Sequence, residues 1–424
     1  MEQCLENLAA PEEPPVSLFH SRVGFKLREL HAQKVYPAYM RIAYINHGRF
    51  PTEKAHGFQI AQVCEATAAL GHEVTLICPT LKNAVTADPR SYYGLRHPIT
   101  VEYAGQYDAF QSPIIPGALA FITTLQFYKR ALRLRLTPGR FDLLYTRSPF
   151  LLAALLKTHV PVILELHTLP RFFRRRFAAS CNRCKKVVCL TGPMRQELVS
   201  WGVHAGKVIV EGDGVDLRRF EKLPDPSSAK VRWNLPADRP VIGYVGSLVT
   251  RETLEKGVRE LIGASEKLKV KSEKWFLWIV GGPQKWIDIY RSHTSSSLEL
   301  SSDQVRFQGH IDTADVPSAI AACDICVYPA PKTDHSYFMR DTSPLKLFEY
   351  LAAGRPIVCA DLPPIRDVVD EKSVQFFRPG DAEDLAAAIE DVIAHPEAAQ
   401  RRAEEGKRIV QQHSWEERMR RILS

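Results

Sequence analysis

From Met40 to the last residues, short apolar runs alternate with stretches of helical periodicity, and the alternation breaks once and restarts. The runs are RIAYIN at 41–46, EVTLICP at 73–79, LLYTRS at 143–148, PVILELH at 161–167, KVVCLT at 186–191 and KVIVEGDG at 207–214. A polar stretch from Leu223 to Lys230, with Pro and Ser, interrupts them. Then come VIGYVGS at 241–247, WFLWIVGG at 275–282, VRFQGH at 305–310, ICVYPA at 325–330, PIVCADL at 356–362 and SVQFFRPG at 373–380. Helix-length segments separate the runs. One spans Gly57 to Leu70 and stops at Gly71, and others start at Lys256, Ser343, Ala382, Pro396 and Trp415. Strand–helix alternation of this kind gives parallel sheets covered by helices, because parallel neighbours need a crossover. A chain of 424 residues also exceeds one ordinary core. The expected fold is α/β, with two parallel-sheet domains facing a central cleft at the carboxyl ends of their strands. The expected divisions are an N-terminal extension at 1–39, a first domain at 40–222, a linker at 223–240, a second domain at 241–412 and a C-terminal helix at 413–424.

Charge and composition narrow the class. Apolar residues make up 45% and charged residues 25%, the balance of a water-soluble globular chain. No apolar run reaches the roughly 18 residues of a membrane span. The best candidate, Leu151 to Leu166, is broken by Lys157, Thr158, His159 and Glu165. The opening MEQCLENLAAPEEPP is acidic and lacks the apolar centre of a secretory signal. A cytoplasmic protein is expected, with membrane association left open by the charge distribution. The net charge is +8, yet residues 1–220 hold 28 Lys and Arg against 17 Asp and Glu, and residues 221–424 hold 28 against 31. Between Arg171 and Lys186 lie seven basic residues and no acid, interleaved with Phe172, Phe173 and Phe177. That stretch reads either as a surface for anionic lipid headgroups or a phosphorylated acceptor, or as a solvated helix face. No nucleic-acid-binding module accompanies the charge, so no nucleic acid is expected as a partner. Nine cysteines in so long a chain do not form a disulfide framework. The pairs Cys181/Cys184 and Cys323/Cys326 have zinc spacing, but Cys326 opens an apolar strand, so buried free thiols and no metal are expected.

The segment DTSPLKLFEYLAAGRPIVCADLPP, 341–364, carries the most chemistry. Ser343 suits an N-cap and Pro344 the first helical position, while Gly354 and Pro356 mark the helix end. Such a start aims the N–H groups of Leu345 and Lys346 beyond the strand ICVYPA, an anion site fitted to a diphosphate. Glu349 shares a helix face with Leu345, Ala352 and Ala353. A carboxylate on that apolar stripe needs donors, and ribose hydroxyls satisfy it; a solvent-facing helix edge is the other reading.

The spacing Asp341-x7-Glu349, the SPLK helix start and the AAGRPIV that follows resemble the signature of glycosyltransferase family 4, the retaining enzymes of GT-B fold with two Rossmann-like domains. VIGYVGSL, Lys256-Gly257, IVGGP, VRFQGHI and GDGVDLRRF resemble it in order and spacing, as do KAHGFQI and ALGHEVTLICP. The likeness spans roughly residues 40–420. It implies transfer of a sugar from a UDP- or GDP-sugar to a glycan, glycolipid or lipid-linked acceptor, with retention and without metal. No cofactor is implied, since the nucleotide sugar is a substrate. By the resemblance, Lys256 neutralises the diphosphate, and Ser343, Pro344, Leu345 and the glycine turn at Gly246 and Ser247 complete its cradle. Glu349 holds the ribose, Asp341 and His167 contact the sugar, and His56 and Gly57 form a loop near donor or acceptor.

Two positions depart from the family pattern. Asp341 is one methylene shorter than the glutamate found there, and Ser247 follows Gly246 where the family often has arginine, leaving Arg251 as the candidate phosphate contact. No two aspartates stand two apart, so the DxD metal motif of the other main glycosyltransferase fold is absent. The departures keep open a non-catalytic GT-B subunit that binds nucleotide sugar and supports a partner. An epimerase of related architecture is a further alternative; it needs no acceptor.

Overall fold

The computed structural model describes residues 39–105, 107–250, 252–268, 275–297 and 304–424. The expected extension and the candidate Arg251 lie outside the described residues, apart from Tyr39. The first domain is a seven-stranded sheet: β1 Arg41–Ile45, β2 Glu73–Pro79, β3 Thr100–Ala104, β4 Leu143–Thr146, β5 Val162–Leu166, β6 Lys186–Cys189 and β7 Val208–Val210. Its order is β3-β2-β1-β4-β5-β6-β7, and every pairing is parallel. In the second domain β8 is Val241–Val245, followed by a small hairpin of β9 Val249–Thr250 and β10 Leu254–Glu255. Then come β11 Phe276–Val280, β12 Val305–Gly309, β13 Ile325–Tyr328, β14 Ile357–Ala360 and β15 Gln375–Phe377. The second sheet runs β12-β11-β8-β13-β14-β15, again all parallel.

Burial on both faces explains why these strands read as apolar runs. In the first sheet Ala43, Ile45, Leu144 and Leu164 enter one core cluster, while Ile42, Tyr44, Leu143 and Ile163 enter the cluster on the opposite face. The second cluster is closed by the helix Ala55–Ala69 and by the last helix of the chain, Trp415–Leu423, through Trp415, Met419, Ile422 and Leu423. The chain's end therefore returns to complete the first domain. Strand order reverses between β1 and β4 in one sheet and between β8 and β13 in the other, which opens a crevice at each set of carboxyl ends.

The structure differs from expectation at two places. The stretch read as a linker contains the helix Pro226–Arg232, started by Asp225, whose side chain accepts from the Ser228 N–H at 3.0 Å. His56 and Gly57 lie in the first turn of the helix Ala55–Ala69 rather than in a loop. Packing requires glycine at 57, since a Cβ there would stand 2.4 Å from the Tyr93 hydroxyl and 2.5 Å from Thr52 Cγ2.

Met419 is 1% exposed beneath the first sheet. Met419→Ala should cost about 2–5 kcal/mol in urea unfolding and lower amide protection in the helix Ala55–Ala69, far away in sequence. Unchanged protection there would show that the last helix does not support the first domain.

Candidate functional site

The sequence-predicted residues gather in two places and border a third. The first is the crevice between β8 and β13. Lys256 follows the β9–β10 hairpin, and its N–H donates to Leu248 O at 3.1 Å. Gly257 has φ +82°, and a Cβ there would sit 2.5 Å from the Ala330 nitrogen, so only glycine lets the hairpin close on the end of β13. Gly246 ends β8, and the Lys346 side chain runs beside it, with Cε 3.5 Å from where a Gly246 Cβ would lie. The Lys346 ammonium donates to the Tyr244 hydroxyl at 2.6 Å and lies 4.0 Å from the centre of that ring and 5.1 Å from that of Tyr328. Burial, then the charge of Lys256, pulls it well below the usual lysine range. Among the described residues neither lysine has a carboxylate within 4.0 Å. Glu349 is the acid whose charge reaches Lys346, but it makes its ion pair with Arg219, and two lysine heads brought together without an ion pair of their own suit a polyanion.

Around this pair the details differ from expectation. The helix runs Leu345–Ala352, with Pro344 as its N-cap and no side-chain cap. Ser343 stands outside it because its hydroxyl accepts the Asp213 N–H at 2.7 Å, and Leu345 N–H bonds back to Ser343 O at 3.0 Å. Ser247 is also engaged internally, its hydroxyl donating to Val249 O at 2.6 Å. Glu349 is half-buried and meets Arg219 at 3.4 Å; burial raises its carboxyl and Arg219 opposes this.

The second place is a cavity of about 200 Å3 between the two domains, lined by His167, Thr168, Leu190, Asp213, Tyr337, Asp341 and Ser343. Thus His167 from the end of β5 does face Asp341 and Ser343 across the cleft. Asp341 closes a π-helical turn, Tyr337–Asp341, and is not free. Arg340 holds both its oxygens, at 2.6 and 3.1 Å, and reaches Glu197 of the first domain with its other nitrogen. Asp213 has a buried oxygen, Oδ1, with no hydrogen-bond partner, in the wall of this cavity.

Beneath His167 lies a network that sequence reading missed. Glu165 Oε1 accepts from His167 Nε2 at 2.6 Å, Gln59 at 2.7 Å and Arg418 at 3.0 Å, and its Oε2 accepts from the Tyr145 hydroxyl. Burial alone would raise the carboxyl, but the charge of Arg418 and the bonds from His167 and Tyr145 outweigh it and hold Glu165 well below the usual range. Glu165, His167 and Asp213 bring metal-ligand atoms within 4.8 Å of one another. With four donors already on Glu165, that trio is an ion-pair network first. A glutamate inside the apolar run PVILELH was the available signal for it. The third place is a cavity in the first domain, whose wall includes His56.

All eight described cysteines are buried free thiols. No helix among the described residues is long and apolar enough to cross a membrane.

A family model described as Glycosyl transferases group 1 matches residues 239–395, and one described as Glycosyltransferase Family 4 matches residues 57–219. The chain is 30% identical over 195 residues to a glycogen synthase of Mycobacterium tuberculosis, covering 44% of this chain and 43% of that protein. It thus spans less than half the length of that relative. A phosphatidyl-myo-inositol mannosyltransferase of the same species is 24% identical over 400 residues, 89% of this chain and 93% of that protein. Among solved structures, Anabaena HepE in complex with UDP and glucose superposes with a TM-score of 0.64 at 19% identity, over 89% of this chain and 96% of that one. A glycosyltransferase from Rickettsia africae gives 0.70 at 16%, over 91% and 97%.

The Glu165 network makes a prediction about acid. A carboxyl held low in the fold contributes stability above the ordinary glutamate value of about 4.3 and loses it as pH falls below that. Arg418→Met leaves a buried, uncompensated carboxylate and should cost about 3–5 kcal/mol at pH 7. The cost should shrink at pH 4, where the variant's Glu165 is protonated in the fold. Urea midpoints at both pH values check this; an equal loss at each contradicts the network.

Proposed function

The chain belongs to glycosyltransferase family 4, with the two-sheet GT-B fold, and we propose that it transfers a sugar from a nucleoside-diphosphate sugar to an acceptor hydroxyl. What carries the reading is the unpaired couple Lys256 and Lys346 at the carboxyl end of β8. In this account the diphosphate sits between the two lysines and the start of the helix Leu345–Ala352, which together stabilise the charge that develops as it departs. Glu349, steadied by Arg219, takes the ribose hydroxyls, and the sugar lies in the cleft towards His167. UDP is the favoured base, since HepE was solved with UDP. Retention and metal independence belong to the same proposal, the lysines supplying the positive charge.

Release of UDP or GDP from a panel of nucleotide sugars tests it. Lys256→Ala should lower turnover roughly 10- to 150-fold, the worth of one charge-assisted contact, with thermal unfolding unchanged. Undiminished turnover would remove Lys256 from the site. Glu349→Gln should raise the donor KM more than it lowers kcat, because a ribose contact changes little during reaction. Since burial raises the Glu349 carboxyl, wild-type donor affinity should fall on acidification before an ordinary glutamate would protonate, and the variant should lack that fall.

One observation favours a second reading. Arg340 occupies both oxygens of Asp341, which suits a subunit that binds nucleotide sugar without turning it over. Binding of UDP with no release from any nucleotide sugar would support that reading.

We also propose that residues 171–176 dock on an anionic membrane. All six are exposed, Phe172 by 75% and Phe173 by 82%, whereas Phe177 packs inward on the first-domain core. Changing Arg174, Arg175 and Arg176 to Gln should weaken binding to anionic vesicles at low salt, at about 1 kcal/mol per charge. Equal partitioning of both proteins would leave these residues a solvated helix face.

A further inference from the structure

The cavity in the first domain has a volume of about 440 Å3 and lies beyond the carboxyl ends of β1, β2 and β3, whose following segments line it. Its charged wall consists of Arg49, Lys54, Lys82 and one acid, Asp108. Asp108 is occupied: Oδ2 accepts from the Lys82 N–H at 3.0 Å and from Gln111 at 3.2 Å, and Oδ1 accepts from the Phe110 N–H at 3.1 Å. Glu53, close by, is outside the lining and is bonded by the Thr52 hydroxyl at 3.2 Å. Among the described residues none of the three cations has a carboxylate within 4.0 Å.

His47 and His56 complete the polar side. Burial, then the charge of Arg147, lowers both imidazoles to about 4, so at neutral pH they offer hydrogen bonds without charge. Phe110 and Phe121 form an apolar wall on which a ring can lie. Charge and hydrogen bonds couple this cavity's histidines to the cleft. Arg147, whose charge is felt by both histidines, donates to Gln59 at 2.7 Å; Gln59 donates to Glu165, and Glu165 holds His167. The cavity is thus coupled to the cleft through the charge of Arg147 and the hydrogen bonds that follow it.

We propose that this cavity seats the acceptor by an anionic group, a phosphate or carboxylate met by Arg49, Lys54 and Lys82, so that the acceptor is an acidic hydroxyl compound and not a neutral glycan. The inference rests on the glycosyl-transfer reading, because only that reaction requires an acceptor beside the cleft. Glu53 feels the charges of Arg49 and Lys54, yet among the described residues none of the three cations is in an ion pair and they outnumber the acids nearby, which suits a compact anion, and the volume suits one ring that bears it.

Lysine labelling tests it, with pyridoxal 5′-phosphate or pyridoxal followed by borohydride and peptide mapping, in the presence and absence of UDP. With UDP present, the phosphorylated reagent should modify Lys54 or Lys82 roughly tenfold faster than pyridoxal, the effect of one charge-assisted contact. That factor is counted over the ratio at the exposed Lys157, outside the cavity, which reports the intrinsic difference between the reagents, because pyridoxal closes to a hemiacetal and its phosphate cannot. Arg49→Gln should abolish the preference, and Lys82→Gln should weaken it at Lys54. Glucose 6-phosphate, and not glucose, should protect the cavity lysines if the anion arrives in solution. Phosphatidylinositol vesicles should protect them if it arrives on a lipid. A ratio of the two rates at Lys54 and Lys82 equal to that at Lys157, or protection by neither competitor, overturns the proposal. UDP slowing at Lys256 reports on the donor site separately: its absence sinks the donor reading, while its presence with no phosphate preference sinks only the acidic acceptor.

Discussion

The arrangement of the cleft depends on one buried ion pair, Glu165 with Arg418. A carboxylate at the fully buried end of β5 is tolerable only with a cation and donors beside it, and the cation comes from the last helix of the chain. Arg418 also donates to the backbone carbonyls of Glu211 and Gly212, just beyond β7. One guanidinium thus fixes the returning helix, the exit from the first sheet and, through Glu165, the orientation of His167. Such a pair adds little net stability over an apolar replacement, but it allows only one docking of the helix.

The two halves of the cleft divide the chemistry. The second sheet presents cations at its strand reversal, and the first presents His167 beyond β5 and a separate cationic cavity beyond β1 to β3. Hydrogen bonds join the halves, the Thr191 hydroxyl on Arg340 O, Gly192 N–H on Asp367 at 2.6 Å and Asp213 N–H on Ser343, and Leu345 packs on the apolar cluster of the first domain. Arg340 bonds Glu197 of one half and Asp341 of the other, so the acid facing the sugar is tied to the contact between the domains.

The sheets were legible in the sequence because strands buried on both faces leave continuous apolar runs. β3 was not, because TVEYA is a half-exposed edge strand. The helix Pro226–Arg232 was hidden by its polar composition, although Asp225-Pro226 is a helix start that could have been read. Lys256 and Glu349 were reached by motif, while the side chain of Lys346 was passed over in favour of its backbone N–H. Its approach to Gly246 joins residues a hundred positions apart, and no local pattern encodes that. Arg418 was invisible for the same reason. The pairing of Arg340 with Asp341 joins adjacent residues, yet whether neighbours pair or diverge depends on the π-helical turn that holds them.

The central claim is that Lys256 and Lys346 await a diphosphate. Because Lys346 is held well below the usual lysine value of about 10.4, an arriving diphosphate should raise it again, and binding should take up protons in alkaline buffer. Titration calorimetry of UDP, repeated in buffers of different ionisation enthalpy, measures that uptake directly. Proton uptake should grow with pH through the range where Lys346 is deprotonated in the free protein, and Lys346→Met should abolish it. Failure of UDP and GDP to bind, or binding that exchanges no protons in any alkaline buffer, would contradict it.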